Sequence, residues 1–465
     1  MSLLIKNGVI VHSWGKVNAD IYIKDEKIKA IGKDLAALTN RETRIIDAKN
    51  CYILPGIIDP HVQLEGAYKN TIMTDDFYSG TKAAAFGGIT TIIDFAVQEK
   101  GSSALECLIK RKNQANPKVC VDYALHVGIT DPRDDVLKEI PKMINEGITS
   151  FKTYMTYRDR GRMVDEAELF RIMAEVARYN GIVEVHQENN ALAEYMTNNL
   201  VKEKKTTSEY FTLSRTEIVE SIATASAILL SKETKCDLYI HHITSKETVE
   251  LVQLACSKGI RVFGETCPHY LVLDDSVYKR KDGHRYIMNP PIRNKKSQES
   301  LWNGIREDLI KTIGTDHCSY TCEQKDKHRN DFCKIPAGVP GLETLLSIIY
   351  TYGVEKNLIS IEKLVELLST NAAKIFGLYP KKGIIQIESD ADLVIYNPYP
   401  DYLLRAKDLH MSTDFNPFEG MKLKGKVKMT ILRGKVIVEE SEFKGASGDG
   451  QFIKGKRGIC YWNIR

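Results

Sequence analysis

Gly56-Ile57-Ile58-Asp59-Pro60-His61-Val62-Gln63 is a short apolar run that ends in polar side chains, and the residues from Asp76 to Phe86 that follow it carry helical spacing. An apolar run of this length bounded by such a helix is the signature of one strand–helix unit of a parallel sheet. The same rhythm recurs from Tyr52 to about Gly377. Strands are predicted at Thr90 to Phe95, Val119 to His126, Ser150 to Thr153, Ile182 to His186, Leu238 to Ile243, Arg261 to Glu265 and Thr312 to Thr315. Helices are predicted at Asp76 to Phe86, Asp134 to Glu146, Asp165 to Asn180, Ser214 to Ser231 and Ser245 to Lys258. Seven or eight such units over about 320 residues imply a closed α/β barrel of the TIM type, (β/α)8, rather than an open sheet.

Outside this region the pattern changes to short alternating strands with Asn-Gly and Gly-Lys turns, at Leu3 to Ile5, Gly8 to Val11, Ile21 to Ile23, Ile28 to Ile31 and Thr43 to Ile46. It returns after Gly377, at Lys382 to Ile387, Ala391 to Tyr396, Val427 to Leu432 and Lys435 to Glu439. The expected organisation is a barrel over 52–377, a small split β-sandwich domain built from 1–51 and 378–442, and a Gly- and Lys-rich C-terminal arm over 443–465.

Composition narrows the function classes. The chain has 465 residues, 43% of them hydrophobic and 27% charged, which is ordinary for a globular protein with room for a large core. No uninterrupted apolar stretch is long enough to span a bilayer. Sixty-five basic against 61 acidic residues leave a net charge of +4, too little over this length to imply a nucleic-acid partner. The ten cysteines are scattered rather than arranged as a disulfide framework. No secretory signal precedes the first strand, so a cytoplasmic location is the expectation.

Catalytic groups of an α/β barrel stand at the C-terminal ends of its strands, where the loops form the mouth. His61 and Gln63, Lys152, His186, His242 and Asp316 fall at those ends. Histidines, a carboxylate and a lysine on successive strands make chemical sense if carbon dioxide carbamylates the lysine, converting a cation into an anionic ligand for divalent metal.

The chain resembles the dihydropyrimidinase and hydantoinase branch of the amidohydrolase superfamily, the cyclic amidohydrolases. The segments that carry the resemblance include Gly56 to His61, Gly87 to Ala96, Gly147 to Lys152, Gly264 to Leu271, Asn289-Pro290-Pro291-Ile292-Arg293, Gly314-Thr315-Asp316-His317, Asn416 to Met421 and Gly448 to Phe452. It implies hydrolysis of a cyclic amide, with a dihydropyrimidine or hydantoin ring opened to an N-carbamoyl amino acid. The attacking species would be a metal-activated hydroxide and Asp316 the proton shuttle. The implied cofactors are one or two divalent ions per subunit, zinc above others, with carbon dioxide held as a carbamate on Lys152. One metal would be held by His61, Lys152, Asp316 and position 63, the other by Lys152, His186 and His242. Neighbouring residues of a strand face opposite ways, so only one of His241 and His242 can face the site, and the resemblance implies that it is His242. Gln63 replaces the second histidine of the family's His-x-His pair and is a weak or absent ligand, since an amide oxygen binds zinc-like ions less well than imidazole nitrogen. Tyr157 matches the family's oxyanion-binding tyrosine, and Asn289 is a substrate-binding position where close hydantoinases often carry serine. Ala337 stands where they often carry asparagine, and Gly66-Ala67-Tyr68 departs from the bulkier family loop. The implied partners are a small cyclic amide and further copies of the chain, as a homodimer or homotetramer, with neither nucleic acid nor membrane. The alternatives are a non-catalytic scaffold resembling the collapsin response mediator proteins, and a single-metal enzyme acting on another cyclic amide such as allantoin or dihydroorotate.

Overall fold

The computed structural model describes residues 2–68 and 71–457. Eight parallel strands follow one another in sequence order around a nearly closed barrel: β1 (Ile57–Val62), β2 (Ile89–Val97), β3 (Asp122–Gly128), β4 (Ser150–Tyr154), β5 (Ile182–His186), β6 (Asp237–Ile240), β7 (Val262–Thr266) and β8 (Ile310–Ile313). Strands covered by helices outside and side chains inside are buried on both faces and become continuously apolar. β2, Ile-Thr-Thr-Ile-Ile-Asp-Phe-Ala-Val, is buried along its whole length but for the last residue.

The seam between β8 and β1 is closed just past the strand ends. Val62 bridges His317, the Gln63 amide donates to the His317 carbonyl at 3.1 Å, and the Thr315 amide donates to the buried Asp59 carboxylate at 3.0 Å. These contacts join the first and last site positions of the chain. At the opposite end, Ile58, Ile93, Ile182, Tyr239 and Phe263 pack on Phe376 and on Ile453 of the C-terminal segment.

The outer helices follow local rules. Glu166–Ala177 starts at Asp165, whose side chain accepts from the Glu168 amide while Glu168 returns a bond to Asp165, and it buries Leu169, Ile172, Met173 and Val176 at helical spacing. The single helix expected from Asp134 to Glu146 is instead two, Asp134–Leu137 and Ile140–Asn145. Pro141 is the cause, because it lacks an N–H and its ring clashes with the carbonyl four residues earlier.

The split β domain is a sandwich. A four-stranded sheet in the order Lys27–Gly32, Asp20–Lys24, Ser2–Lys6, Arg44–Asp47 packs through Leu3, Ile5, Ile21, Ile23 and Ile46 on a seven-stranded sheet. The latter mixes both ends of the chain: Tyr52–Pro55 runs antiparallel to Leu393–Leu403. The strand expected at Lys382 to Ile387 does not form. Gly383 takes φ +82°, and the fully buried Lys382 ammonium sits among Asp122, Asp390 and Asp392, 2.9 Å from Asp390, tying β3 to the sandwich. That ion network outweighs local strand propensity, and it fills what would otherwise be an acidic cation site. The C-terminal segment hydrogen-bonds Gln451 and Ile453 to Tyr123 of β3 and Gly455 to Gly147, while residues 458–465 of the predicted arm lie outside the described residues. Among the described residues no helix is long and apolar enough to cross a membrane.

Candidate active site

At the C-terminal ends of the strands lies a cavity of about 430 Å³ whose lining includes His61, Gln63, Lys152, Tyr157, His186, His242, Asn289 and Asp316. Every site residue expected from the sequence thus faces one space. His61 stands near the end of β1, Lys152 in the middle of β4 and His186 at the last position of β5, whereas His242 and Asp316 follow β6 and β8. Ala337, Gly338 and Tyr68 contribute to the walls.

The histidines are oriented from behind. His61 places Nδ1 2.7 Å from Oε1 of Glu265, the penultimate residue of β7, which aims Nε2 at Asp316, 3.1 Å away. His186 places Nε2 2.7 Å from Glu188, which is itself paired with Arg215 at 2.7 Å. On His186, whose pKa burial lowers to about 4, the carboxylate on one ring nitrogen fixes the tautomer and leaves the other nitrogen's lone pair facing inward. His186 Nδ1 and His242 Nε2 accordingly face each other at 3.0 Å, and His242 Nδ1 has no partner. Glu265 also accepts the His242 amide at 3.1 Å, so one buried carboxylate sets two site positions.

Lys152 is 2% exposed and its Nζ has no hydrogen-bond partner, lying 5.6 Å above the Phe95 ring and 5.5 Å above that of Tyr154. An unpaired buried ammonium is costly. Burial pulls its pKa down to about 8, against the opposing pull of Glu184, Glu265 and Asp316.

The fold is shared with known proteins. The Amidohydrolase family profile matches residues 52–437. A D-hydantoinase of Geobacillus stearothermophilus is 41% identical over 458 residues, covering 98% of this chain and 96% of that one. A dihydropyrimidinase of Rattus norvegicus is 38% identical, covering 97% and 88%. This chain belongs to the hydantoinase and dihydropyrimidinase branch of the amidohydrolase family. The crystal structure of a dihydropyrimidinase from Brevibacillus agri superposes with a TM-score of 0.95 at 37% identity, over 98% of this chain and 99% of that one.

The donor set fits a divalent ion of the kind the amidohydrolase family generally binds. The fit rests on the orphaned Lys152 Nζ, on two imidazole nitrogens that meet inside the cavity, and on histidines braced by outer carboxylates. Gln63 is the exception. Its Nε2 donates to Asp316 Oδ1 at 3.0 Å, so the amide serves the carboxylate as a donor in place of presenting a nitrogen lone pair. Burial lowers the pKa of His61, but Asp316 and Glu265 on either side more than reverse this and raise it to about 10.

One sequence expectation needs a different physical reason. β6 ends at Ile240, so the alternation of a strand does not govern His241 and His242. The chain instead turns at His242, which adopts φ +35°. His241 then drops into the barrel core, with Nδ1 3.0 Å from Glu265 and 2.9 Å from His61 Nδ1, while His242 lines the cavity. The donor atoms of His61, His241 and Glu265 lie within 4.8 Å of one another, but their lone pairs and protons already serve each other. Glu265, Glu188 and His241 were not singled out as site residues by their sequence context. Of the neighbouring histidines, His317 is turned away, with Nε2 3.2 Å from Asp75, and His269 meets Tyr270 edge to face at 4.2 Å. Cys318 and Cys322 are both free thiols.

Tyr157, His242 and Asp316 all have left-handed backbone, with φ of +68°, +35° and +47°. Non-glycine residues in this region are uncommon and cluster where function holds the backbone in place.

Proposed function

We propose that this chain opens a cyclic ureide, a dihydropyrimidine or hydantoin ring, to the N-carbamoyl amino acid. The observation that carries the reading is the convergence of His61, Lys152, His186, His242 and Asp316 on one cavity in a member of this branch. His61, Lys152 and Asp316 would hold one divalent ion, and Lys152, His186 and His242 another. The nitrogen-rich, imidazole-dominated set suits zinc. A bound divalent ion supplies Lewis acidity, polarising a carbonyl and lowering the pKa of water.

Lys152 would take part as its carbamate: the neutral amine adds to carbon dioxide, forming one N–C bond and releasing one proton. The buried Nζ, which has no hydrogen-bond partner, supports this role, since burial disfavours the charged ammonium more than Glu184, Glu265 and Asp316 favour it. Asp316 would accept the proton of the attacking water and deliver it to the departing ring nitrogen. Tyr157 stands at the wall with its ring 4.9 Å from that of His186, suited to donate its hydroxyl to the developing oxyanion. Loss of such a donor typically lowers the rate about a hundredfold or more. Asn289 would orient the ring through its amide. We further assign the chain to the cytoplasm and to a homodimer or homotetramer, following its composition and family.

The test is a screen of the purified chain, loaded with zinc or manganese and bicarbonate, on dihydrouracil, hydantoin and allantoin. Release of an N-carbamoyl acid from either of the first two is expected, and no turnover of any of them overturns the assignment. Turnover of allantoin alone would favour the single-metal alternative, for which the engagement of Gln63 with Asp316 is the structural argument.

A further inference from the structure

The wall above the candidate metal ligands carries two guanidiniums without an ion-pair partner among the described residues. Arg160 and Arg162 both line the cavity that holds His61, Lys152, His186, His242 and Asp316. Among the described residues neither has a carboxylate within ion-pairing distance. Arg160 lies with its guanidinium 4.0 Å over the Tyr68 ring and 4.4 Å over that of Tyr157, donates to the Tyr68 hydroxyl, and leaves its buried Nε without an acceptor. Arg162 sits 5.6 Å from the ring of Tyr154, which also has Lys152 Nζ at 5.5 Å. Each guanidinium is therefore one aromatic ring away from the floor: Arg160 through Tyr157 to His186, Arg162 through Tyr154 to Lys152. Asp159, the other charged residue of this wall, is exposed and lies beyond ion-pairing distance of both.

The floor and this wall line one cavity, so a ring seated over the floor has Arg160 and Arg162 beside it. A half-buried, unpaired guanidinium is poorly solvated, and a carboxylate matches its planar fork better than any neutral group does. We propose that Arg160 and Arg162 form a substituent site that selects cyclic ureides bearing an anionic side chain, a carboxylate above all. This rests on the ring-opening activity proposed above and names its substrate class.

The test compares two isosteric hydantoins, one carrying a carboxymethyl and the other a carboxamidomethyl substituent, on the metal-loaded full-length chain. The wild type is expected to favour the anion in kcat/KM by roughly tenfold or more, the ratio falling as salt rises. Arg162→Gln should lower that ratio about tenfold and Arg162→Glu should invert it. A binding arm separates this inference from the activity on which it rests. Calorimetry on the Asp316→Asn chain, which is expected not to turn over, should give about tenfold tighter binding of the carboxymethyl hydantoin than of its amide. It should also bind that hydantoin more tightly than glutarate, which has the anion without the ring. Equal kcat/KM and equal affinity for the two isosteres, glutarate binding as tight as the hydantoin, or a preference that survives Arg162→Gln would each overturn the proposal. If nothing is hydrolysed, the proposed activity fails, while the calorimetric ratio still decides the anion site.

Discussion

His61 and His186 stand on barrel strands and hand their outer ring nitrogens to the buried carboxylates of Glu265 and Glu188, whereas Arg160 and Arg162 stand on the loop after β4 and, among the described residues, pair with no carboxylate. On the floor of the cavity His61 and His186 are braced by carboxylates, while Lys152 Nζ has no hydrogen-bond partner. The wall is positively charged and held by ring contacts and by Lys325, a buried amine that donates to the carbonyls of Ile287 at 3.0 Å and Pro336 at 3.1 Å. These carbonyls belong to the segments that place Asn289 and Ala337. The contrast teaches where a barrel enzyme keeps its chemistry and where it changes its substrate: strand ends preserve the first, loops vary the second.

Replacing floor residues should have the largest effects. Asp316→Asn is expected to lower kcat/KM on the ring substrate by roughly a thousandfold or more, and Lys152→Ala to do the same while also losing bound metal, both checked by steady-state kinetics and elemental analysis. A Lys152→Ala chain that kept its metal would break the floor's assignment. Next comes the bracing carboxylate. Glu265→Gln should weaken metal affinity about 10- to 100-fold in a competition titration with a chelator, whereas Arg162→Gln should leave that affinity unchanged. Equal losses in the two variants would erase the distinction between floor and wall.

The smallest effect concerns Lys325. Burial lowers its pKa from 10.5 to about 7, so between those values the unfolded chain binds the proton that the folded chain does not. Stability from this group therefore rises with pH from about 7 to 10.5, is flat below that window, and is complete above it. Relative to Lys325→Met, the wild type should gain ~1–2 kcal/mol between pH 7 and 9, read from denaturant unfolding. A difference that did not change over this range would show the amine to be charged in the fold.

Much of this molecule was legible because barrel strands are apolar runs of standard length, and their terminal polar residues stand out against them. Ile182 to His186 was read to the residue, and the shifts at β3, β6 and β8 amount to a few positions. Local rules failed where long-range pairing decides. Lys382 reads as part of a strand until Asp122, distant in sequence, draws its ammonium into the core. Glu265 and Glu188 read as ordinary strand-end carboxylates, because nothing local shows which histidine each will brace. The unpaired state of Arg160 and Arg162 is likewise a property of what lies across the cavity. Gln63 was visible as a departure from the His-x-His pattern, but its hydrogen bond to Asp316 needed the closed seam between β1 and β8.

At that corner the proposed metal site has one position given over from ligation to holding Asp316. Elemental analysis of the full-length chain during stepwise chelator titration, beside Gln63→His, tests it most directly. The account predicts one tightly held ion per wild-type chain and a second released at least about tenfold more easily, with the histidine variant narrowing that gap. Two ions of equal affinity in the wild type, unaffected by Gln63→His, would contradict it.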